Sequence, residues 1–339
     1  MNILILGLGS IGQRHLRNIN KLNGKFNFFA VRKKFITPAL DVKNKVIKTD
    51  LKKKYKIKYL KNLSQILQNK IKIDAAFVCT PSNYHIEEAI WLLKNNINTF
   101  VEKPLGSSFK KLSTLKRILD KKTNIKNMMG YQLKFNPIIK KISFLLKKKT
   151  IGKLNNIFVH HGEHINDFHP YENYRISYAA RKDLGGGVIL CQIHEIDYIL
   201  HLFSNYKIKI LNSYHTRVSN LKIDVEDTVV SNFILSRKSS KAICTMHLNF
   251  FERPKKRSIQ IIGEKGKIDA DLNSGNIFIH RNSSKKMFKF KFDRNKIFKN
   301  QVKYFIDCIK NGKKIDKKYD LKNGIRSLEL AMKLKEKRK

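Results

Sequence analysis

No two of the four cysteines, Cys79, Cys191, Cys244 and Cys308, lie close enough in sequence to form a CxxC or Cys/His pattern. That excludes the usual zinc and thiol-redox motifs, predicts no metal site, and implies a reducing, cytoplasmic setting. Long apolar runs are also missing. The opening stretch Met1–Leu6 lacks a basic leader and is soon broken by Gly7 and Gly9, too short for a signal peptide or a spanning helix. Acidic residues are scarce: 26 face 71 lysines and arginines, a formal charge of +45. Such a charge ordinarily raises nucleic acid as a partner. Here the lysines are spread over nearly every segment beside abundant asparagine, isoleucine and phenylalanine, residues that share A/T-rich codons. A nucleotide bias accounts for this composition, and no finger spacing, RNP-type aromatic motif or Gly-rich basic tail accompanies it. Specific nucleic-acid binding and membrane insertion are not expected.

What is present is ordinary globular material. The chain has 339 residues, 42% of them apolar, enough for two domains with separate cores. Up to residue 123, short apolar runs alternate with helical patterns, as βαβ units around a doubly wound parallel sheet require. Strands are predicted at Ile3–Leu6, Asn27–Val31, Ala75–Cys79 and Thr99–Val101. Helices fall between them, one ending at Asn95–Asn96 with a left-handed cap. From residue 124 to 339 the rhythm changes to a helix from Pro137 and then eight period-two runs, closed by two helices. In Ala242, Cys244, Met246 and Leu248 every second residue is apolar, the mark of a sheet with one buried face. The second domain is therefore expected to be α+β with a large open, mostly antiparallel sheet. Such a face seldom stays bare, which implies a homodimer or homotetramer.

Gly7-Leu-Gly-Ser-Ile-Gly12 follows the first strand and opens the first helix. In that context GxGxxG is a dinucleotide-binding turn: the first glycine bends the chain, the second admits a pyrophosphate, and the third lets helix and sheet pack closely. Gly7, Gly9, Ser10, Ile11 and Gly12 are the expected cofactor contacts. Where an NAD-preferring site carries an acidic residue about 20 residues further on, this chain has Val31-Arg32-Lys33-Lys34. A basic cluster suits a 2′-phosphate, which favours NADP over NAD, with Arg32 as its contact.

Four further segments, TPSNYH (80–85), VEKPLG (101–106), GYQLKFNP (130–137) and LGGGVILCQIHEID (184–197), join GLGSIGQRH in a definite order. Together they resemble the Gfo/Idh/MocA family, which contains glucose–fructose oxidoreductase and inositol dehydrogenase. The resemblance covers essentially the whole chain. It implies a Rossmann domain, NAD(P)-dependent hydride transfer on a sugar, and cofactor contacts from Thr80, Pro81, Asn83, His85, Glu102 and Lys103. It implies Lys103 and His194 as the groups at the reacting oxygen. An ordinary lysine titrates near about 10.4, so burial or neighbouring cations must lower Lys103 for it to serve as a base. Pro104 restricts the lysine backbone and admits a cis bond. Asp197, one turn beyond His194, is placed to orient the imidazole. Tyr131, Lys134, Tyr174, Arg175 and Arg181 complete the implied substrate contacts.

One position departs from the pattern. Many members carry an aspartate three or four residues before the histidine, where this chain has Leu190 and Cys191. Lys103 then works with His194 alone, or Glu163 or Asp183 substitutes, or activity is lost and the protein is a dinucleotide-binding sensor. The run His169-Pro-Tyr-Glu-Asn-Tyr-Arg175 before the glycines resembles the surface-polysaccharide or nucleotide-sugar branch, implying an acylated or nucleotide-linked sugar.

Overall fold

The structure is a computed structural model and describes residues 1–31, 38–282, 284–291 and 293–336. The chain divides into two units: Met1–Tyr131 with Asn295–Leu328, and Gln132–Arg294 with Glu329–Lys339.

The first unit is built on six parallel strands: β1 (Asn2–Leu6), β2 (Asn27–Val31), β3 (Lys58–Leu60), β4 (Ala75–Val78), β5 (Asn98–Glu102) and β6 (Asn127–Gly130). Their order is β3-β2-β1-β4-β5-β6, so the direction of winding reverses between β1 and β4. Ligands of open α/β sheets bind beyond the carboxyl ends of the strands at such a switch point. Ile3–Leu6 and Ala75–Val78 are buried throughout, which is why they stand out as unbroken apolar runs. The helices are α1 (Ser10–Asn20), α2 (Leu51–Tyr55), α3 (Ser64–Gln68), α4 (His85–Lys94) and α5 (Leu112–Lys121). Asn96, just past α4, has a φ of 57°, the left-handed stop its sequence suggested.

The second unit opens with α6 (Pro137–Lys147), where Asn136 caps the helix through a 2.8 Å bond from the Ile138 amide. An eight-stranded sheet follows: β7 (Leu154–Gly162), β8 (Lys207–Thr216), β9 (Thr228–Arg237), β10 (Ser240–Asn249), β11 (Lys256–Gly263), β12 (Gly266–Asp271), β13 (Asn276–Arg281) and β14 (Ser284–Lys289). Its order is β14-β13-β12-β11-β7-β10-β9-β8, antiparallel except for the β7–β10 pair. Between β7 and β8 lie two helices, α7 (Val188–Cys191) and α8 (His194–Leu202). α7 packs on β9 and β10, and α8 on α6. One sheet face is therefore covered, with Val229, Phe233, Cys244, Met246 and Ile261 in its core. The other face leaves Phe158, Tyr214, Val230 and Ile243 exposed.

Two helices close the chain, α9 (Arg294–Lys310) and α10 (Leu321–Glu336). The sequence suggests a single boundary between residues 123 and 124, but residues 295–328 return to the first unit. The apolar stripe of α9 explains this: Phe305 lies edge-on to Phe77 of β4 and against Phe100 of β5, each at 5.6 Å between ring centroids.

Candidate functional site

The glycine turn between β1 and α1 is shaped for an anion. Gly7 sits at φ +87°, and a Cβ there would lie 2.7 Å from the Cys79 carbonyl oxygen. A Cβ on Gly12 would lie 2.0 Å from the Gly7 carbonyl oxygen, so only glycine permits this closeness. Gly9 caps α1 without any side-chain bond, and no acidic residue occupies the first helical turn. The amides at the start of α1 and the positive end of its dipole are thus directed at the space beyond the strands. Backbone and glycines both fit a dinucleotide pyrophosphate, which Gly7, Gly9, Ser10, Ile11 and Gly12 would hold.

The loops after β4 and β5 lie on the same edge. Thr80 donates from Oγ1 to Glu88 at 2.5 Å. His85 lies between two carbonyl oxygens, Pro104 O at 2.7 Å from Nδ1 and Thr80 O at 2.7 Å from Nε2, and so ties the two loops together. Pro81 leads into the short turn Ser82–Tyr84, on which Asn83 is exposed. At the end of β5, Glu102 is buried and its Oε1 lies 2.7 Å from Nε2 of the fully buried His15. The Lys103 amide donates to the other oxygen of Glu102 at 3.1 Å. Lys103 is half-buried, and its bond to Pro104 is cis, as the sequence allowed. Burial pushes the Cys79 thiol well up, with Glu102 and Glu88 adding to it, which suits a packing residue and not a nucleophile. Tyr131 is buried directly after β6. Arg32 lies outside the described residues.

In the second unit His194 is the first residue of α8 and is buried. The glycines before it are required by close packing. A Cβ on Gly186 would meet the Tyr178 carbonyl oxygen at 2.5 Å, and Gly187, at φ +102°, would meet the Glu226 carboxylate at 2.3 Å. Asp197 Oδ1 takes Lys134 Nζ at 2.8 Å, an ion pair whose side chains are each 1% exposed. Glu195 is wholly buried, 2.6 Å from Arg257 Nε and 3.3 Å from His161 Nδ1. Burial alone would raise its carboxyl, but the charges of Arg257 and His161 outweigh that and hold it far below the carboxylate range.

Leu190 and Cys191 are buried in α7, so no carboxylate stands there. Of the two substitutes, Asp183 is exposed and bound to Arg181 at 2.5 Å. Glu163 lies 3.8 Å from His161 and 3.6 Å from Lys255; burial raises its carboxyl, yet His161 and Lys255 bring it below its ordinary value. Tyr174, Arg175 and Arg181 are gathered on one loop, where Tyr174 Oη accepts the Lys222 amide at 3.2 Å. Among the described residues no group of three His, Cys, Asp or Glu side chains could hold a metal ion.

His15, His161 and Arg257, which hold the buried carboxylates Glu102 and Glu195, are residues that motif reasoning did not single out. A signal for the second existed. Residues 154–206 contain one lysine, Lys182, in a chain where 57 of 339 residues are lysine. A segment that resists so strong a bias is held by something other than solubility.

An open sheet with a glycine turn at its switch point, in a chain with a second sheet unit, defines a two-unit protein of the dinucleotide-binding Rossmann class. Residues 1–131 match the profile described as oxidoreductase family, NAD-binding Rossmann fold, and residues 139–269 that of the GFO/IDH/MocA C-terminal domain. The chain belongs to the Gfo/Idh/MocA oxidoreductase family. It is 25% identical over 143 residues to 2,7-anhydro-N-acetylneuraminate hydratase of Escherichia coli, covering 42% of this chain and 37% of that one. The curated relatives it matches are aligned over only 33% to 66% of their own lengths. Myo-inositol 2-dehydrogenase of Lactobacillus plantarum has the same fold (TM-score 0.77, 18% identity, covering 100% of this chain and 97% of that one). So does UDP-N-acetylglucosamine 3-dehydrogenase of Acidithiobacillus ferrooxidans (TM-score 0.73, 13% identity, covering 98% and 96%).

Proposed function

We propose that the protein transfers a hydride between a nicotinamide dinucleotide and a hydroxyl or ketone of a sugar or nucleotide-linked sugar, with Lys103 and His194 at the reacting oxygen. One observation carries the reading. Lys103 leaves β5 on the edge where Gly7 leaves β1, only two strand spacings away, roughly 10 Å. A side chain of lysine length spans much of that interval. The bound dinucleotide would supply the hydride acceptor or donor. The chain supplies the proton: Lys103 Nζ takes it from the hydroxyl in oxidation or returns it in reduction, and His194 hydrogen-bonds or shares it. The pairing of His15 with Glu102, and of Glu102 with the Lys103 amide, holds the backbone from which that ammonium projects.

The basic run at residues 32–34 favours NADP over NAD. Four buried, unbridged cysteines suit a cytoplasmic protein. A second reading, a dinucleotide-binding sensor without turnover, is favoured by the apolar Leu190 and Cys191. Absorbance at 340 nm with free sugars and sugar nucleotides separates the two. Turnover with at least one, and NADPH used ahead of NADH, is expected; cofactor binding with no turnover across the panel selects the sensor.

The exposed row Phe158, Val230 and Ile243 on the open sheet supports self-association through that face. Light scattering is expected to give a multiple of the 39.7 kDa chain mass. A single-chain mass at micromolar concentration would contradict it.

A further inference from the structure

A cavity of about 700 Å³ in the second unit is lined by four cations, Arg175, Arg181, Arg217 and Lys222. It is an open surface depression in which Arg175, Arg217 and Lys222 are exposed, and its size falls within the roughly 300–1,000 Å³ of small-molecule sites. Arg181 is already matched by Asp183. Among the described residues, Arg175, Arg217 and Lys222 make no ion pair with a carboxylate. One carboxylate, Asp224, reaches the lining, and its Oδ1 accepts the Lys182 amide at 2.7 Å. The lining thus carries a positive excess that suits a dianion better than a single carboxylate.

The walls are held in place. Arg217 Nη1 donates to the Ile223 carbonyl at 2.7 Å. The wholly buried Asp227 accepts from the amides of Val218 and Ser219, each at 3.0 Å, and from the Ser219 hydroxyl at 2.6 Å. The Asp224 amide donates to Ala180 O at 3.2 Å, joining the two loops that form the cavity. Tyr174 sits behind Arg175, and its hydroxyl is drawn below its ordinary range by the Lys222 amide first and by Arg175 as well.

The choice of cation is informative. The chain has 57 lysines and 14 arginines, and three of the arginines stand in this one lining. Where coding bias supplies lysine wherever a plain charge will serve, an arginine marks a need for a planar fork of donors. Guanidinium forks match the paired oxygens of phosphate.

We propose that this cavity binds a phosphate or diphosphate ester, its oxygens taken by Arg175, Arg217 and Lys222 and a remaining acceptor by the Asn220 side chain. The assignment rests on the oxidoreductase reading only in calling that ester part of the substrate. The loop that walls the cavity runs through Gly185–Gly187 into α7 and α8, so a phosphate held here would tether the substrate to the unit that carries His194.

Calorimetric titration of the full chain with inorganic pyrophosphate, at physiological salt and with excess NADH to fill the glycine turn, tests it directly. Saturable one-to-one binding is expected. Arg175→Ala and Lys222→Ala, both at exposed positions that leave the fold intact, should each weaken it about ten- to a hundredfold. Lys147→Ala with Lys148→Ala, at the far end of α6, should not. No saturable binding, or equal weakening in the α6 variant, overturns the site and leaves only diffuse attraction of polyanions. Glucose 1-phosphate and UDP-glucose then identify the source: tighter binding of the first indicates a sugar phosphate, of the second a nucleotide diphosphate. NADH fluorescence and turnover of unphosphorylated sugars report on the oxidoreductase reading separately, so one can fail without the other.

Discussion

Lys103→Ala is expected to lower turnover by about 10²- to 10⁴-fold, the usual worth of a positioned acid–base group, while NADH binding weakens far less. Binding should largely survive because the glycine turn holds the pyrophosphate through backbone amides that the substitution leaves in place, so only the one contact from Lys103 is lost. Lys103→Arg should not rescue activity, since a guanidinium keeps the charge but does not surrender its proton. Stopped-flow measurement at 340 nm with fluorescence titration of NADH separates the two effects. Turnover that persists in the alanine variant would remove the proton-transfer role and leave only the fold assignment.

Glu195→Gln should be the most destabilising of the conservative changes near His194. The substitution keeps the side-chain shape but leaves Arg257 and His161 without their shared counter-charge in a buried setting. Breaking such a pair costs about 3–5 kcal/mol, which for a unit of this size is a fall in Tm of roughly 6–20 °C. The folded carboxyl is depressed, so its contribution is complete above the unfolded value of about 4.3 and declines as pH falls toward the folded one. Melting curves should therefore differ most between wild type and variant at neutral pH and converge in acid. A gap that is the same at both ends would show that shape, not charge, holds α8 in place.

Local signals were legible and distant ones were not. The glycine turn, the left-handed Asn96 and the helix start at Pro137 each depend on residues a few positions apart, so sequence spacing defines them. Strands β1, β2, β4 and β5 were visible because burial on both faces makes them continuous apolar runs. The sheet edges β3 and β6 were hidden: Lys58-Tyr-Leu60 and Asn127-Met-Met-Gly130 are short, and an edge tolerates the polar residues that mask a strand. The pairing of His15 with Glu102 spans 87 positions and that of Glu195 with Arg257 spans 62, distances over which no local pattern operates. Asp197 shows the same limit. Its helical spacing points to His194, and spacing could not show that one of its oxygens also takes Lys134, on the other side of the β7 strand in sequence. The apolar stripe of α9 announced a helix but could not say which sheet it covers.

That last point bears on how the protein is made. The ribosome completes all six strands of the first sheet well before it reaches Phe305, so Phe77 and Phe100, touched until then by His15 of α1, lack the cover of α9 while residues 132–294 are translated. The nascent dinucleotide domain thus spends much of its synthesis with an aromatic patch open to chaperones, and any early stop upstream of α9 damages the first domain as well as the second.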